Sequence, residues 1–252
     1  MSTDVRVQQS VVANLSGRPA PVESGPFVIG LDPDTDSPHI NYATPRPNAP
    51  ITPADVTALV AAFREIDRKP RLEYVVSCAP DLEALLLNAG FAVEERHAYL
   101  TCVPSSLAVP SLPDGFTLRE PGTDEQRAAL SGAQHECFGG DPVATESDIT
   151  RMARLQAQGG IAVMAVAGDG ACAGGGQAVP PSGGVSEVAG IAVRLPYRRR
   201  GLAGAITAEV TGRLFAGGAE IAWLEASGED SWRVYERVGY RPGGSRLYVV
   251  LD

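Results

Sequence analysis

The sequence predicts an α+β fold made of two related units, of which the first is shorter. Two observations predict it. Between residues 116 and 252, short apolar strands alternate with amphipathic helices in the order β-α-α-β-β-β-α-β-α-β-β. The segment Leu72–Phe91 is also similar to Ile221–Tyr240, at an offset of 149 residues from Gly90 to Gly239. Both segments run from a strand through a polar turn and a helix to a Gly-aromatic pair, which indicates an internal repeat.

In the first unit, Thr52-Pro53 predicts the start of a helix, because a hydroxyl side chain caps the first turn and proline suits the first helical position. A strand is expected from Leu72 to Cys78, followed by a helix that ends at Gly90. A final strand is expected from Arg96 to Cys102, and it matches Ser245–Leu251 at the end of the second unit. The first unit is therefore predicted to be a shortened copy of the second.

A segment rich in Pro and Ser, from residue 103 to residue 115, separates the two copies. This composition is typical of a linker. We therefore expect a first domain at residues 1–108, a linker at residues 109–115 and a second domain at residues 116–252.

The second unit is predicted to begin with a strand at Phe116–Glu120 and two helices that start at Thr123 and Thr145. Asp169-Gly170 lies between two apolar segments, which favours a hairpin turn. The same turn is part of a Gly-x-Gly-x-x-Ala pattern like that of dinucleotide-binding folds. However, the pattern is followed by Gly174-Gly175-Gly176, which cannot start the helix that such folds need, so the hairpin is preferred.

The most informative part of the chain is a strand, a loop and a helix between residues 185 and 216. Val185–Val193 is a β-type segment that Pro196 stops. Apolar residues then recur at every fourth position, as in a helix, until Gly217-Gly218 ends the run: Leu202, Ile206, Val210 and Leu214. The sequence therefore predicts that a loop near residues 194–201 leads directly into a helix.

This loop predicts an anion site. It contains three arginines, Arg198–Arg200, and Gly201 and other small residues follow them into the helix. Small residues allow backbone N–H groups to approach an anion, and a helix N-terminus adds about half a positive charge. Such a site suits a pyrophosphate.

Taken as Arg-x-x-Gly-x-Ala, the segment Arg198–Ala203 resembles the acyl-coenzyme A loop of the GCN5-related N-acetyltransferases, or GNATs. The strand Ile221–Ala226 and the helix with Tyr235-Glu236, which ends at Gly239-Tyr240, resemble that family's strand-helix signature. The order of elements from residue 116 to residue 252 is also the family's order. The resemblance implies two GNAT-like domains with a mixed, mostly antiparallel sheet flanked by helices, the N-terminal one shortened.

The resemblance further implies an acetyltransferase that moves an acetyl group from acetyl-CoA to a primary amine by direct attack. Tyr235 would face the coenzyme's sulfur and protonate the leaving thiolate. Glu187 would take the proton of the amine, with Glu225 on the next strand as its rival. The implied coenzyme-binding residues are Ile191, Ala192, Val193, Arg198, Arg199, Arg200, Gly201, Leu202, Ala203, Gly204 and Ser231.

The chain departs from the family pattern in one place, and a glycine elsewhere leaves two interpretations open. Many members have an asparagine where this chain has Gly228, so Ser227 or Ser231 would have to replace its contact with the coenzyme. Gly190 marks either a bulge at which pantetheine pairs with the backbone or merely a weak strand position.

The first unit is expected to have lost this chemistry. By the repeat offset, position 86 corresponds to Tyr235, and it is a leucine. The segment before Thr52, residues 42–50, is rich in proline, which has no N–H, and it contains no glycine. We expect a structural partner of the second domain; binding of a different ligand is the alternative.

Composition excludes several classes of function. The formal net charge of −9 argues against a nucleic-acid partner. The sequence has no run of 18 apolar residues and no N-terminal signal pattern, which predicts a cytoplasmic protein without a membrane span.

The four cysteines and three histidines lack metal-ligand spacing, so no metal is expected and the cysteines are interpreted as buried thiols. A monomer or a homodimer is compatible with all of this.

Three functions remain open at this stage. The first is an acetyl-CoA-dependent N-acetyltransferase that acts on a small molecule or a peptide. The second is a non-catalytic module that binds acyl-CoA, and the third is a transferase that uses a longer acyl chain. The loop Cys137–Thr145, which would border the acceptor pocket, carries no recognisable signature, so the acceptor stays unknown.

Overall fold

The computed structural model describes residues 1–252 and divides them into two compact units. Unit 1 comprises residues 1–99 and 242–252, and unit 2 comprises residues 100–241. The helices are α1 (Thr3–Ser16), α2 (Pro53–Glu65), α3 (Leu82–Asn88), α4 (Asp124–Cys137), α5 (Glu146–Ala157), α6 (Leu202–Ala216) and α7 (Glu229–Val238). The strands are β1 (Val22–Ser24), β2 (Phe27–Gly30), β3 (Tyr42–Pro45), β4 (Arg71–Val75), β5 (Ala92–Cys102), β6 (Phe116–Arg119), β7 (Ile161–Ala167), β8 (Cys172–Ala178), β9 (Val185–Val193), β10 (Ile221–Glu225) and β11 (Arg241–Val250).

The two halves of the chain repeat one succession of elements, α-β-β-β-α-β-α-β. The first copy runs from α1 to β5 and the second from α5 to β11. The pairings repeat as well: β1–β2 and β2–β3 are antiparallel and β3–β4 is parallel, like β7–β8, β8–β9 and β9–β10. The predicted α+β fold and the internal repeat are confirmed. The first copy is shorter because it lacks counterparts of β6 and α4.

The last strand, β11, is part of unit 1 although it ends the second copy. It pairs antiparallel with β4, from Arg246 opposite Val75 to Val250 opposite Arg71. The domain expected at residues 116–252 includes this strand, whereas the compact unit 2 excludes it, because its backbone hydrogen bonds and apolar side chains are used in unit 1. An internal repeat indicates which elements are equivalent, but it does not indicate with which unit a given strand forms its hydrogen bonds.

The expectation of two strands at the C-terminus is wrong, since β11 is one continuous strand. A turn at Gly243-Gly244 would be needed to divide it, and neither glycine adopts a positive φ. A Cβ at Gly244 would lie 2.8 Å from Cε1 of Tyr99, so the missing side chain serves close packing of an extended backbone.

The N-terminal elements α1 and β1–β3 were not anticipated from the sequence. Helix α1 has a recognisable pattern nonetheless, because Val7, Val11 and Leu15 are buried at helical spacing and the hydroxyl of Ser2 accepts from the N–H of Val5 at 3.3 Å. The strands that follow are only three or four residues long. Such short strands contain too few alternations to be distinguished from loops.

In unit 2 the strands lie in the order β10-β9-β8-β7-β6, with helices on both faces. α6 and α7 cover one face, where Val188, Ile206 and Leu224 belong to one core cluster. α4 and α5 cover the other face, where Leu130 and Met152 belong to a second cluster. The predicted helix starts are confirmed, since the hydroxyls of Thr123 and Thr145 each cap the helix that follows. No helix of either unit is long and apolar enough to cross a bilayer.

The expected burial of the cysteines holds for three of the four. Cys78, Cys102 and Cys172 are buried free thiols, and burial raises the pKa of Cys78 to about 11. Cys137 is only half-buried, because it is the last residue of α4 and the chain leaves the core there.

The segment expected to be a linker is part of unit 2. The N–H of Ala108 donates to the carbonyl of Val238 at 2.9 Å, and Leu107 contacts the core. Where the segment passes the end of α7, a Cβ at Gly239 would lie 1.9 Å from the carbonyl oxygen of Ser106. Gly239 also has φ 106°, so both its conformation and its surroundings require glycine.

Gly239→Ala should therefore destabilise the protein strongly. Gly218, after the end of α6, is the matched control because it has φ 93° and a Cβ there would meet nothing within 4 Å. Gly218→Ala is expected to cost about 1 kcal/mol through backbone strain alone, and Gly239→Ala at least about 2 kcal/mol more, because overpacking adds to the strain. Denaturant unfolding of both variants measures the difference, and equal losses would contradict the close contact with Ser106.

Candidate active site

The candidate site begins where the parallel ladder between β9 and β10 ends. The ladder covers three residue pairs, from Val185 opposite Ile221 to Glu187 opposite Trp223. From Val188 to Val193, β9 continues with hydrogen bonds to β8 on its other side. The edge of β9 that faces away from β8 therefore leaves backbone N–H and C=O groups available to another extended group.

A bulge lies within this part of β9. The pairing with β8 passes from Ala189 opposite Gln177 to Ala192 opposite Gly175, so two residues of β9 face one residue of β8. Gly190, one of the two, has φ 64°. The interpretation of Gly190 as a bulge residue is confirmed. The bulge bends β9 and changes the direction of the backbone N–H and C=O groups that follow it.

The glycines of β8 serve close packing against this bulged strand. A Cβ at Gly174 would lie 2.1 Å from the carbonyl oxygen of Ala192, and one at Gly176 would lie 2.3 Å from Cδ1 of Ile191. The turn before them is the predicted hairpin, since the N–H of Gly170 donates to the carbonyl of Ala167 at 2.9 Å. The Gly-rich pattern is therefore explained without a dinucleotide.

After β9, the chain enters α6 through a loop that leaves the helix N-terminus open. A single 3-10 turn, Leu195–Tyr197, follows β9, and Gly201 stands at the N-cap with φ 84°. No side chain caps the helix, and its first backbone bond runs from the N–H of Ala205 to the carbonyl of Gly201 at 3.2 Å. The N–H groups of the first turn therefore have no helical acceptor and can bind an anion.

The polar side chains among the predicted coenzyme-binding residues have different surroundings. Arg198 donates through Nε to the carbonyl of Val193 at 2.8 Å, so part of its guanidinium group shapes the loop. Arg199, which has φ 61°, and Arg200 are exposed. Ser231 donates its hydroxyl to the carbonyl of Gly228 at 2.8 Å, and its oxygen also lies 3.5 Å from the hydroxyl oxygen of Ser227.

Tyr235 lies on the face of the sheet that carries α6 and α7. It is 8% exposed, belongs to the core cluster of that face and has its ring centroid 6.2 Å from that of Tyr240. Burial raises the pKa of Tyr235 to about 12, so the phenol is neutral at physiological pH. Its neighbour Tyr240 is held in place by a 2.7 Å hydrogen bond with Thr211. Tyr235 is thus a buried, neutral phenol in a packed environment.

Glu187 and Glu225 lie on the opposite face. Ala222 and Leu224 of β10 point into the core beside Tyr235, so strand alternation directs Trp223 and Glu225 to the other side. Glu187 shares that side because it is paired with Trp223. Both carboxylates are half-buried, whereas Trp223 is fully buried. The two candidate bases therefore lie on one face of the sheet, and the core cluster that contains the candidate acid lies on the other.

In unit 1, side chains cap the N-terminus of α2, the helix equivalent to α6. The hydroxyl of Thr52 accepts from the N–H of Asp55 at 3.3 Å, and the carboxylate of Asp55 accepts from the N–H of Thr52 at 2.8 Å. This capping box satisfies the donors of α2 and places a negative charge where a phosphate would bind. Leu86, at the position equivalent to Tyr235, is fully buried.

A further polar residue at the site was missed in the sequence. Gln134 of α4 is buried and donates to the carbonyl of Gly190 in the bulge. It lies one turn after Leu130 on the apolar side of the helix, and a polar residue at such a position is the signal that could have revealed it.

Comparison with known proteins agrees with the geometry. Residues 128–240 match the model of the acetyltransferase (GNAT) family. A GCN5-related N-acetyltransferase from Kribbella flavida is similar over 100% of this chain and 96% of its own, with 27% identity and a TM-score of 0.82. One from Sphaerobacter thermophilus is similar over 96% and 84%, with 18% identity and a TM-score of 0.65.

A third solved structure shares the fold of both copies. It is described as a tandem GNAT protein from the clavulanic acid biosynthesis pathway, and the similarity covers 98% of this chain and 94% of its own, with 12% identity and a TM-score of 0.60. No protein of curated function matches the sequence significantly.

The open N-terminus of α6 predicts how coenzyme A should respond to substitutions at Gly201. Asp and Asn both tolerate the left-handed conformation and have the same shape, but only Asp adds a charge against the phosphates. In isothermal titration calorimetry with coenzyme A, Gly201→Asp should weaken binding about 100-fold or more, because a like charge costs several kcal/mol. Gly201→Asn should weaken it less. Equal affinities of wild type and Gly201→Asp, or a second equivalent bound, would contradict the assignment.

Proposed function

The chain belongs to the GNAT acetyltransferase superfamily, and from this premise we propose that it transfers an acetyl group from acetyl-CoA to a primary amine of a small molecule or a peptide. One observation carries the proposal. The free edge of β9 and the uncapped N-terminus of α6 follow each other along the chain, so they offer backbone partners first for a pantetheine arm and then for a pyrophosphate.

The coenzyme would lie along residues of β9 and the loop after it. Backbone groups of Ile191–Val193 would pair with the amides of pantetheine, as another strand would. The N–H groups of Leu202, Ala203 and Gly204 would bind the pyrophosphate, with Arg199 and Arg200 as exposed cations beside it. Arg198 would hold the loop through its bond to Val193. Ser231 would accept a hydrogen bond from the coenzyme.

In the proposed reaction, the nitrogen of a neutral amine attacks the thioester carbonyl, and the C–S bond breaks as the tetrahedral intermediate collapses. A primary amine has an ordinary pKa near 10.4, so it must lose a proton before it attacks. Glu187, directly or through a water molecule, would accept that proton. Tyr235 would donate its phenolic proton to the departing thiolate, for which its neutral state is required. The extra proton on the nitrogen of the intermediate leaves as the amide forms, and it would return through water to the Tyr235 phenolate, so that the phenol is restored.

Unit 1 would serve as a structural partner that binds no coenzyme. Its helix N-terminus is capped by Thr52 and Asp55, and Leu86 offers no proton at the position of Tyr235. We propose that the first copy, residues 1–108, kept the fold and lost the chemistry. We further propose that the enzyme is cytoplasmic, needs no metal and acts as a monomer or a homodimer.

Tyr235→Phe tests the reaction most sharply, because it removes one hydroxyl and almost no volume. If Tyr235 protonates the thiolate, kcat should fall about 100-fold or more, in the range of general acid catalysis. The affinity for acetyl-CoA should change little, since the aromatic packing remains. Thiol release with a panel of primary amines measures the rate, and Tyr248→Phe, at a half-buried tyrosine of β11 in unit 1, is the control. Wild-type turnover of Tyr235→Phe would remove this residue from the mechanism.

Glu187→Gln tests the proposed base. The substitution keeps the shape of the side chain but cannot accept a proton, so turnover should fall about 100-fold or more. The loss should be largest at low pH, where less of the amine is neutral. The same pH profile of Glu225→Gln is the comparison. If only Glu225→Gln lowers the rate, the two roles are exchanged; if neither does, the amine reaches the site already deprotonated.

A further inference from the structure

We propose that Gln134 is a positioning residue that holds the bulge of β9 in the shape that the coenzyme edge requires. Its effect on the coenzyme rests on the proposed function. Gln134 lies in the last turns of α4 and is only 9% exposed. Its Nε2 donates to the carbonyl oxygen of Gly190 at 2.8 Å, so a side chain of the helical layer holds the backbone of the strand directly.

The orientation of the Gln134 amide follows from its partner. A backbone carbonyl can only accept, so the NH₂ group must point at Gly190 and Oε1 must point away from it. The two groups are also in contact: a Cβ at Gly190 would lie 2.4 Å from Nε2 of Gln134. Gly190 with its φ of 64° therefore leaves room for the amide, and the amide occupies that room.

The hydrogen bond from Gln134 gives the carbonyl of Gly190 a partner that the strand ladder does not supply, because a bulge contains a residue without a partner on the neighbouring strand. The Gly190 carbonyl lies between the pairs Ala189–Gln177 and Ala192–Gly175, so β8 does not hold it in register. A carbonyl in a packed interface needs a partner, and without the amide the strand would satisfy it by changing its local conformation. Such a change would redirect the N–H and C=O groups of Ile191 and Ala192, which are the proposed partners of pantetheine.

Variants of two glutamines on α4 separate positioning from helix stability. Gln134→Met removes the donor with little change in volume, and Gln134→Glu does so in its ionised form. Gln126→Glu is the matched control, because Oε1 of Gln126 accepts from the N–H of Gly122 at 2.8 Å and a carboxylate keeps that role. We expect the Kd for acetyl-CoA to rise about tenfold in both Gln134 variants, the loss of one hydrogen bond. Gln126→Glu should stay within about twofold of wild type.

Gly190→Ala provides the coupling test. If Gln134 acts through the bulge, Gln134→Met should add little to the Kd of a protein that already carries Gly190→Ala. A simple sum of the two effects would overturn the proposal, as would wild-type affinity in Gln134→Glu. A lower melting temperature with unchanged affinity below the transition would show a structural role alone and would overturn it too.

Hydrogen exchange of the free protein makes the test independent of the coenzyme. Gln134→Glu should accelerate amide exchange of peptides that cover residues 188–193 and leave those that cover 161–167 unchanged. If wild type fails to bind acetyl-CoA, the proposed function is wrong and the exchange result still decides whether Gln134 holds the bulge. If binding is intact and exchange is unchanged in Gln134→Glu, only the positioning role is wrong.

Discussion

The candidate site depends on the short length of the parallel ladder between β9 and β10, which ends well before β9 does. β9 and β10 are paired over three residues, up to Glu187 and Trp223, and then β9 continues with β8 as its ladder partner. Backbone groups beyond that point need partners, and the bulge at Gly190 sets their direction. The loop and the N-terminus of α6 follow within a few residues. A free strand edge and an open helix end thus come together because they are consecutive along the chain.

The two copies of the fold show how little is needed to gain or lose such a site. Both contain a parallel strand pair with a helix between the strands. In one copy Gly201 begins the helix without a side-chain cap, and in the other Thr52 and Asp55 satisfy the same donors with their own oxygens. Tyr235 and Leu86 occupy equivalent helices. The fold therefore persists in both copies, although the helix cap and one hydroxyl, on which the proposed anion binding and proton transfer depend, differ between them.

Unit 1 uses buried charges where unit 2 uses apolar packing. Glu73 of β4 forms ion pairs with Arg71 of its own strand and with Arg246 of β11 at 3.1 Å, and all three are almost fully buried. Arg71 also contacts Glu94 at 2.7 Å. A buried charge that loses its partner strongly destabilises a protein. A shift of β11 against β4 would separate Arg246 from Glu73, so the network is compatible with only one register of these two strands. These ion pairs therefore help to fix how β4 and β11 are paired in unit 1.

The sequence by itself determined the elements with local signals. Thr52, Thr123 and Thr145 mark helix starts, and the run from Val185 to Gly218 specifies a strand, an open loop and a helix, because capping, periodicity and glycine act over a few residues. Tertiary structure decided the rest. β11 joins unit 1 and Gln134 bonds to Gly190 across 56 positions of sequence. A local pattern can show that position 134 is a polar residue on a buried helix face, but it cannot show the acceptor of that residue or the partner of a strand, because these are chosen by which surfaces pack together.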